Sequence, residues 1–355
     1  MRQLVLELFF TITFSLMHVR GHIAPWHKGM YCLNGTTPDV DDQTTNEAVN
    51  PLYQLSREDW WFHHINKCDE FPPAPGDFLE LPANGEFTVE LAVNRAFTSL
   101  SFNGEHKATF ADGQDHPGLG DRPSNGDTPP CIVEPNIHAQ NESMAAGSAF
   151  AISYQSDLSK VTPENLVVFT VAYNTPWRLI ATYSVPNLPA CPPDGCICAW
   201  GWVPNGCGEP NMYMLGYKCK VTGMTGTAAV APAKPASWCE DDPSKCTSGA
   251  RQLIYWNQLE GNNIEVSGTD LAGDPRSPAY NTKLGFSNGA QTDIFLNPGS
   301  ATQTSVIPGP SSTSPPTSDG LPALPESGAK SIRMGVAILP LCALVVSLGM
   351  VLTVL

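Results

Sequence analysis

The chain has 355 residues, enough for one large or two modest domains, and it carries 19 Lys and Arg against 34 Asp and Glu, a formal net charge of −15. This acidity argues against a nucleic-acid partner, because binding to phosphates requires a surplus of basic side chains. With 30 glycines, 33 prolines and 11 cysteines, the composition argues against a helical bundle and favours short strands and loops held by disulfides.

Residues 1–21 have the pattern of a secretory signal peptide. Arg2 supplies a positive charge, and an apolar stretch of the usual length follows. Val19 and Gly21 occupy the positions where cleavage requires small residues, so we expect the cut before His22, with another nearby bond as the alternative. Cleavage there would make a histidine the first residue of the mature protein.

An N-terminal histidine is a chelating residue, because its α-amine and its imidazole Nδ1 can bind one metal ion together. The amine titrates near ~8, so a strongly bound ion can displace its proton. A second imidazole would complete a planar, T-shaped set of three nitrogens, which suits copper in ligand type and geometry. The alternative is that His22 stands at this position by chance.

Four segments predict β-strands. Residues 86–91 alternate between apolar and polar side chains, while residues 149–154, 166–173 and 180–185 are rich in β-branched and aromatic side chains. Proline and glycine bound most of these segments, and no long segment has a helical period. We therefore predict an all-β fold over residues 22–296, an antiparallel immunoglobulin-like β-sandwich with long disulfide-stapled loops and short helices.

Ten cysteines remain when Cys342, in an apolar tail, is set aside, and an even number is expected of a disulfide-bonded secreted domain. Their pairing cannot be deduced from the sequence. A zinc site at Cys196 and Cys198 is disfavoured by their tight spacing. Asn34 and Asn141 lie in sequons and are predicted N-glycosylation sites. The disulfide candidates are Cys32, Cys68, Cys131, Cys191, Cys196, Cys198, Cys207, Cys219, Cys239 and Cys246.

The usual signatures of hydrolases are missing from the sequence. It contains no G-x-S-x-G, no H-E-x-x-H and no Gly-rich phosphate loop, and its acidic residues form no recognisable acid–base pair. His63 and His64 are adjacent and would point to opposite faces of a strand, so they cannot serve one metal together. We interpret His27, His106 and His116 as packing or surface residues.

Residues 297–327 are rich in Ser, Thr and Pro and predict an extended, O-glycosylated stalk. Residues 328–355 have the pattern of a GPI-anchor signal that is removed, with Ser327 or Gly328 as the lipid attachment site. The polar spacer is shorter than usual, so an ordinary tail-anchored helix is the alternative. Either interpretation predicts a secreted protein held at the outer cell surface.

Long motifs point to one family. The segment HIAPWHKGMYCLNGT, which begins at His22, resembles the mature start of a fungal lytic polysaccharide monooxygenase of auxiliary-activity family 14. Four further segments are similar to that family: residues 60–64 (WWFHH), 135–147 (PNIHAQNESMAAG), 196–208 (CICAWGWVPNGCG) and 278–286 (PAYNTKLGF). The resemblance extends over nearly the whole predicted domain.

The resemblance implies a histidine brace that holds one copper ion per chain. His22 would supply its amine and Nδ1, and His138 the second imidazole, both as metal ligands and catalytic residues. The axial position falls on Tyr213, with Tyr217 as the competitor. Gln155 is a candidate hydrogen-bond donor near the oxygen-binding position.

The resemblance also implies an activity, a substrate and partners. The enzyme would be a monomer that oxidatively cleaves polysaccharide, with xylan on cellulose as substrate, dioxygen or hydrogen peroxide as co-substrate, and a small reductant or an oxidoreductase as electron donor. Five tryptophans could stack on sugars or be buried in the core: Trp26, Trp60, Trp61, Trp200 and Trp202.

The stalk and the anchor signal support an alternative of a different class, because a tethered enzyme cannot diffuse into plant cell wall. In this alternative the chain is a non-catalytic copper-binding protein of the cell surface that serves copper uptake or wall function.

Overall fold

The computed structural model describes most of the predicted domain, namely residues 22–119, 135, 137–204, 210–269 and 276–296, and all structural statements refer to these residues. The predicted signal peptide, stalk and anchor signal lie outside them, as do Cys131 and Cys207.

Short strands dominate the described residues. In chain order they are β1 (Ala24–Trp26), β2 (Leu79–Pro82), β3 (Glu86–Ala92), β4 (Ser148–Ser153), β5 (Val167–Ala172), β6 (Ile180–Ser184), β7 (Cys196–Trp202), β8 (Tyr213–Thr222) and β9 (Gly289–Ala290). One turn of α-helix, α1 (Arg57–Trp60), precedes the 3-10 helices Trp61–Asn66 and Cys68–Glu70. Other 3-10 helices lie in connecting loops at Glu47–Val49, Arg95–Phe97, Phe102–Gly104, Glu142–Met144, Leu158–Lys160, Pro243–Lys245 and Thr282–Leu284.

The strands form two sheets, so the predicted all-β sandwich is confirmed. One sheet has the order β1-β3-β6, and the other has the order β2-β8-β7-β4-β5-β9. All pairs are antiparallel except β2 with β8. The four predicted strands match β3, β4, β5 and β6 to within one residue at either end. No helix in the described ranges is long and apolar enough to cross a membrane.

Side chains from both sheets form one buried cluster. Phe87 of β3 and Tyr183 of β6 pack against Phe150 of β4, with ring centroids 5.0 and 4.8 Å from that ring. A second cluster covers the opposite face of the six-stranded sheet, where Ile197 of β7 packs among residues such as Tyr255. Since both faces are covered, β4, β5 and β7 are buried along their whole length. Their sequences are therefore continuous apolar runs rather than alternating ones.

Disulfides fasten the loops to this frame, as predicted. The observed bonds are Cys32–Cys68, Cys191–Cys196, Cys198–Cys219 and Cys239–Cys246. Cys196 and Cys198 are thus both oxidised, which confirms that this pair is not a zinc site. The 36-residue separation of Cys32 and Cys68 is the longest of the four, and a loop of that size is worth about 3–4 kcal/mol by chain entropy.

Four of the five tryptophans that could have stacked on sugars are core residues. Trp26, Trp60, Trp200 and Trp202 are at most 1% exposed, so they stabilise the two clusters and cannot bind a substrate from solvent. Trp61 is half-buried, and the Arg57 guanidinium lies over its ring, 5.6 Å from the centroid.

Candidate functional site

The predicted axial residue Tyr213 is the first residue of β8, where β7 and β8 form an antiparallel pair. It lies opposite Trp202, the last residue of β7, and the two rings stack with centroids 4.6 Å apart and planes at 25°. On its other side Trp202 is paired with Ser148, the first residue of β4. The site therefore begins at one end of the six-stranded sheet, on the face that contributes to the first cluster.

His138 reaches the same tryptophan from a loop that precedes β4. Its ring meets the Trp202 ring edge to face, with centroids 5.6 Å apart and planes at 74°. The side chain is 8% exposed, and the backbone has a φ of +45°. This left-handed conformation is uncommon for residues other than glycine, and such strain concentrates at functional sites. The structure thus brings two of the three predicted ligands, His138 and Tyr213, into contact with one buried side chain.

His22 is half-buried and lies two residues before β1. The indole N–H of Trp26 donates to the carbonyl of Ala92 at 2.9 Å, which fixes the end of β1 to β3. The Tyr217 hydroxyl of β8 donates to the carbonyl of Pro25, which joins β1 to the larger sheet. His22 is three residues from this junction, a span of at most ~10 Å of extended chain.

The same hydrogen bond separates the two candidate axial tyrosines. Tyr217 is completely buried, its hydroxyl is used by Pro25, and burial raises the pKa of its phenol well above the ordinary value. Tyr213 is the first residue of β8, four residues before Tyr217, and it lies at the end of the strand that is next to Trp202 and His138. The geometry therefore favours Tyr213 as the axial residue.

Gln155 does not lie with the other candidates. It follows the Ser153 end of β4, whereas Trp202 pairs with the Ser148 end. Five strand residues separate these ends by about 17 Å. The glutamine near the site is Gln140, half-buried and two residues after His138. The segment PNIHAQNESMAAG already contains this residue, but nothing in the sequence alone favours it over Gln155.

The remaining histidines have other environments. His27 accepts a hydrogen bond at Nδ1 from the amide of Gly29 at 3.1 Å, and burial lowers its pKa to about 4. His116 lies 2.7 Å from an Asp112 oxygen, and His106 is exposed beside Phe102. Within the described ranges no three or more His, Cys, Asp and Glu side chains are grouped to hold a metal. A set of two imidazoles and a terminal amine does not require such a group.

His63 and His64 occupy the 3-10 helix Trp61–Asn66 rather than a strand. Both Phe62 and His63 have left-handed backbones, with φ of +49° and +63°, which turns the His63 ring into the core while His64 stays at the surface. His64 Nδ1 lies 2.9 Å from an Asp69 carboxylate oxygen, and this hydrogen bond raises the pKa of His64. Each histidine has its own environment, so the pair cannot serve one metal.

We expect the buried His63 to make folding stability depend on pH. Burial lowers its pKa from 6.5 to about 4, so between these values the unfolded chain binds a proton that the folded chain does not. The contribution of His63 to the free energy of unfolding is therefore fully present above pH 6.5. It falls by about 2–3 kcal/mol as the pH falls towards 4. Urea unfolding at pH 7 and 4.5 measures the loss. The variant His63→Leu, which cannot titrate, should show a shallower decline, and an unchanged decline would contradict this assignment.

The predicted glycosylation sites are accessible to different degrees. Asn34 is exposed, while Asn141 is half-buried and caps the 3-10 helix Glu142–Met144, where its Oδ1 accepts from the Met144 amide at 3.2 Å. Asn141 also borders an open pocket of about 490 Å³. Arg178, two residues before β6, lines the same pocket. Asn141 is three residues after His138, so a glycan on Asn141 would be attached at most ~10 Å along the chain from that residue.

Comparison with known proteins identifies related sequences. The family model described as lytic polysaccharide monooxygenase AA14 matches residues 4–343. An AA14 family lytic polysaccharide monooxygenase B from Pycnoporus cinnabarinus is 36% identical over 336 residues, which covers 88% of this chain and 81% of that protein. Proteins of the same name from Trametes coccinea and Talaromyces rugulosus are 36% and 35% identical, over 82% and 81% of this chain and 68% and 98% of their own lengths.

Proposed function

Because the chain belongs to the AA14 family of lytic polysaccharide monooxygenases, which are oxidoreductases, we propose that it acts through one copper ion held by His22, His138 and Tyr213. The observation that carries this assignment is the contact of both His138 and Tyr213 with Trp202, at one end of the six-stranded sheet.

The residues present fit a copper ion. Two imidazoles and an amine are nitrogen donors of the kind copper prefers, and the phenol oxygen of Tyr213 would be a further, weaker donor. His138 is held in a strained, buried conformation, as expected for a ligand whose direction must be fixed. Hydroxylation of a sugar C–H beside the glycosidic oxygen, with dioxygen or hydrogen peroxide, is the chemistry that bound copper supplies.

Each residue of the chain has a separate task in this proposal. His22 binds through two atoms and can do so only when its amine is free and deprotonated. Trp202 limits rotation of the His138 ring by an edge contact and holds the Tyr213 ring by stacking. Because Trp202 is completely buried, it also excludes water from the inner side of the site. Since the glycosidic bond breaks after C–H hydroxylation, this reaction does not need a pair of catalytic carboxylates.

We propose xylan on cellulose as the substrate and a small reductant or an oxidoreductase as the electron donor. The experiment is mass spectrometry of the products that copper-loaded protein releases from xylan-coated cellulose with a reductant present. Oxidised oligosaccharides are the expected result, and they should be absent without reductant. Tight copper binding with no oxidised product from any polysaccharide would instead support the alternative of a non-catalytic copper-binding protein.

We further propose that the protein is secreted and held at the outer cell surface by a GPI anchor, on the strength of the apolar segments at residues 1–21 and 328–355. Phosphatidylinositol-specific phospholipase C should release it from intact cells. Retention after this treatment would argue for a tail-anchored helix.

A further inference from the structure

Tyr53 is an exposed aromatic residue at the same end of the sheet as the candidate site. Its neighbour Leu52 forms an antiparallel bridge with Met212, with N–O distances of 2.9 and 3.1 Å in the two directions. Met212 directly precedes Tyr213. Leu52 and Met212 belong to the second cluster, whereas Tyr213 belongs to the first.

Strand alternation then determines the face on which Tyr53 lies. Successive side chains of extended chain point to opposite faces, and opposed residues of an antiparallel pair share a face. Tyr53 directly follows Leu52 and Asn211 directly precedes Met212, so this alternation places both on the face from which Tyr213 projects. Asn211 is 2% exposed, whereas Tyr53 is 41% exposed. Tyr213 is itself only 2% exposed, so of these two tyrosines it is Tyr53 whose ring a ligand in solvent can reach.

The backbone that carries Tyr53 is held firmly. Gln54 and Asn257 both have left-handed backbones, with φ of +51° and +55°, and they face each other. The side-chain amide Nε2 of Gln54 donates to the Asn257 backbone carbonyl at 3.2 Å and to the Asn257 side-chain Oδ1 at 3.0 Å. Beneath them the buried side chain of Gln258 donates to the Leu52 carbonyl at 2.8 Å. Strain of this kind persists only where the surroundings fix it, and it is frequent at ligand-binding sites.

A second exposed apolar side chain extends this surface. The amide of Leu259 donates to the carbonyl of Leu55 at 3.0 Å, so Leu259, which is 66% exposed, lies beside the segment of Tyr53. An aromatic ring with adjacent amide groups and no excess of positive charge suits an uncharged, hydroxyl-rich ligand. The net charge of −15 further disfavours an anionic polymer.

We propose that Tyr53 is the stacking platform on which an uncharged polysaccharide chain lies when it approaches the candidate copper site. The C–H face of a sugar ring would pack on the phenol ring, and the amides of the Gln54 and Asn257 segment would meet its hydroxyls. This proposal rests on the proposed function, because the ligand is the substrate of that same site.

The experiment measures depletion of copper-loaded protein by insoluble xylan-coated cellulose, with copper affinity and oxidised products measured in parallel. Tyr53→Ala should weaken polysaccharide binding about 5- to 10-fold, the equivalent of one lost aromatic contact. Tyr53→Trp should retain binding within about twofold, since it keeps a ring. Copper affinity should be the same in all three proteins, because Tyr53 is not a ligand.

Met224→Ala is the matched control. Met224 is 89% exposed, more than Tyr53, and follows the opposite end of β8, so its truncation deletes an accessible apolar group far from the site. Binding by Met224→Ala should equal that of the wild type. Unchanged binding by Tyr53→Ala, or a wild type that binds no polysaccharide, would overturn the platform. If Tyr53→Ala binds weakly while the wild type yields no oxidised sugars, the platform stands and the proposed activity fails.

Discussion

One extra residue in front of His22 should weaken copper binding by about 10²–10⁴-fold. The addition converts the α-amine into an amide, and the ion then loses one of two donors carried by the same residue. Two donors that are linked in one residue bind an ion about 10²–10⁴-fold more tightly than either donor binds it alone. Calorimetry on protein that begins at His22, beside protein with one additional N-terminal alanine, measures the difference. Equal affinities would exclude a histidine brace.

His138→Ala tests the other half of the brace. It should also lose tight copper binding, and the electron paramagnetic resonance spectrum of residual copper should change because one nitrogen donor is gone. His106→Ala serves as the control, since His106 is exposed and contacts Phe102 instead. A His138→Ala protein with wild-type affinity would show that the second imidazole comes from elsewhere.

Trp202→Ala should destabilise the fold by about 3–5 kcal/mol and loosen two ligands at once. A fully buried tryptophan leaves a large cavity on truncation, and this one also loses its stacking on Tyr213 and its edge contact with His138. Trp202→Phe should cost much less, because it keeps a ring and removes an indole N–H that has no hydrogen-bond partner within the described part of the chain. Thermal unfolding gives the stability, and calorimetry well below the transition gives the copper affinity.

Trp60→Ala separates a loss of stability from a loss of the site. Trp60 is equally buried, stacks on Tyr255 at 5.1 Å and donates from its indole to the Glu260 carbonyl at 2.9 Å. Its truncation should lower the unfolding temperature to a similar degree while leaving copper affinity unchanged. If both variants bind copper as tightly as the wild type, Trp202 has only a packing role.

Much of the fold could be predicted because strand formation depends on local chemistry. The alternation of residues 86–91 and the β-branched runs at 149–154, 166–173 and 180–185 each contain their own signal, and all four form strands. The disposition of His63 could not be predicted in this way. It depends on a left-handed turn that buries the ring, and only tertiary packing holds a non-glycine residue there.

The candidate site was predictable in residue identity but not in geometry. The motifs around His22 and His138 were enough to propose these residues as donors, since nitrogen-donor chemistry belongs to the residues themselves. The resemblance already favoured Tyr213 over Tyr217, and the hydrogen bond from Tyr217 to Pro25, which joins distant parts of the chain, adds independent support. That Gln155 lies away from the candidate site could be seen only from the direction of β4. Distance in sequence from a motif does not tell which end of a strand a residue lies near.

The sequence by itself determined the all-β class, the family and the oxidised state of Cys196 and Cys198, and it supplied the residues that we propose as copper donors. These follow from composition, periodicity and motifs that are local in the chain. Only the tertiary structure decided that Trp202 would meet both His138 and Tyr213, how eight cysteines would pair, and that Tyr53 would share a face with the site. The physical reason is that sheet order and strand register bring together residues far apart in sequence, and they are fixed by the burial of two apolar clusters.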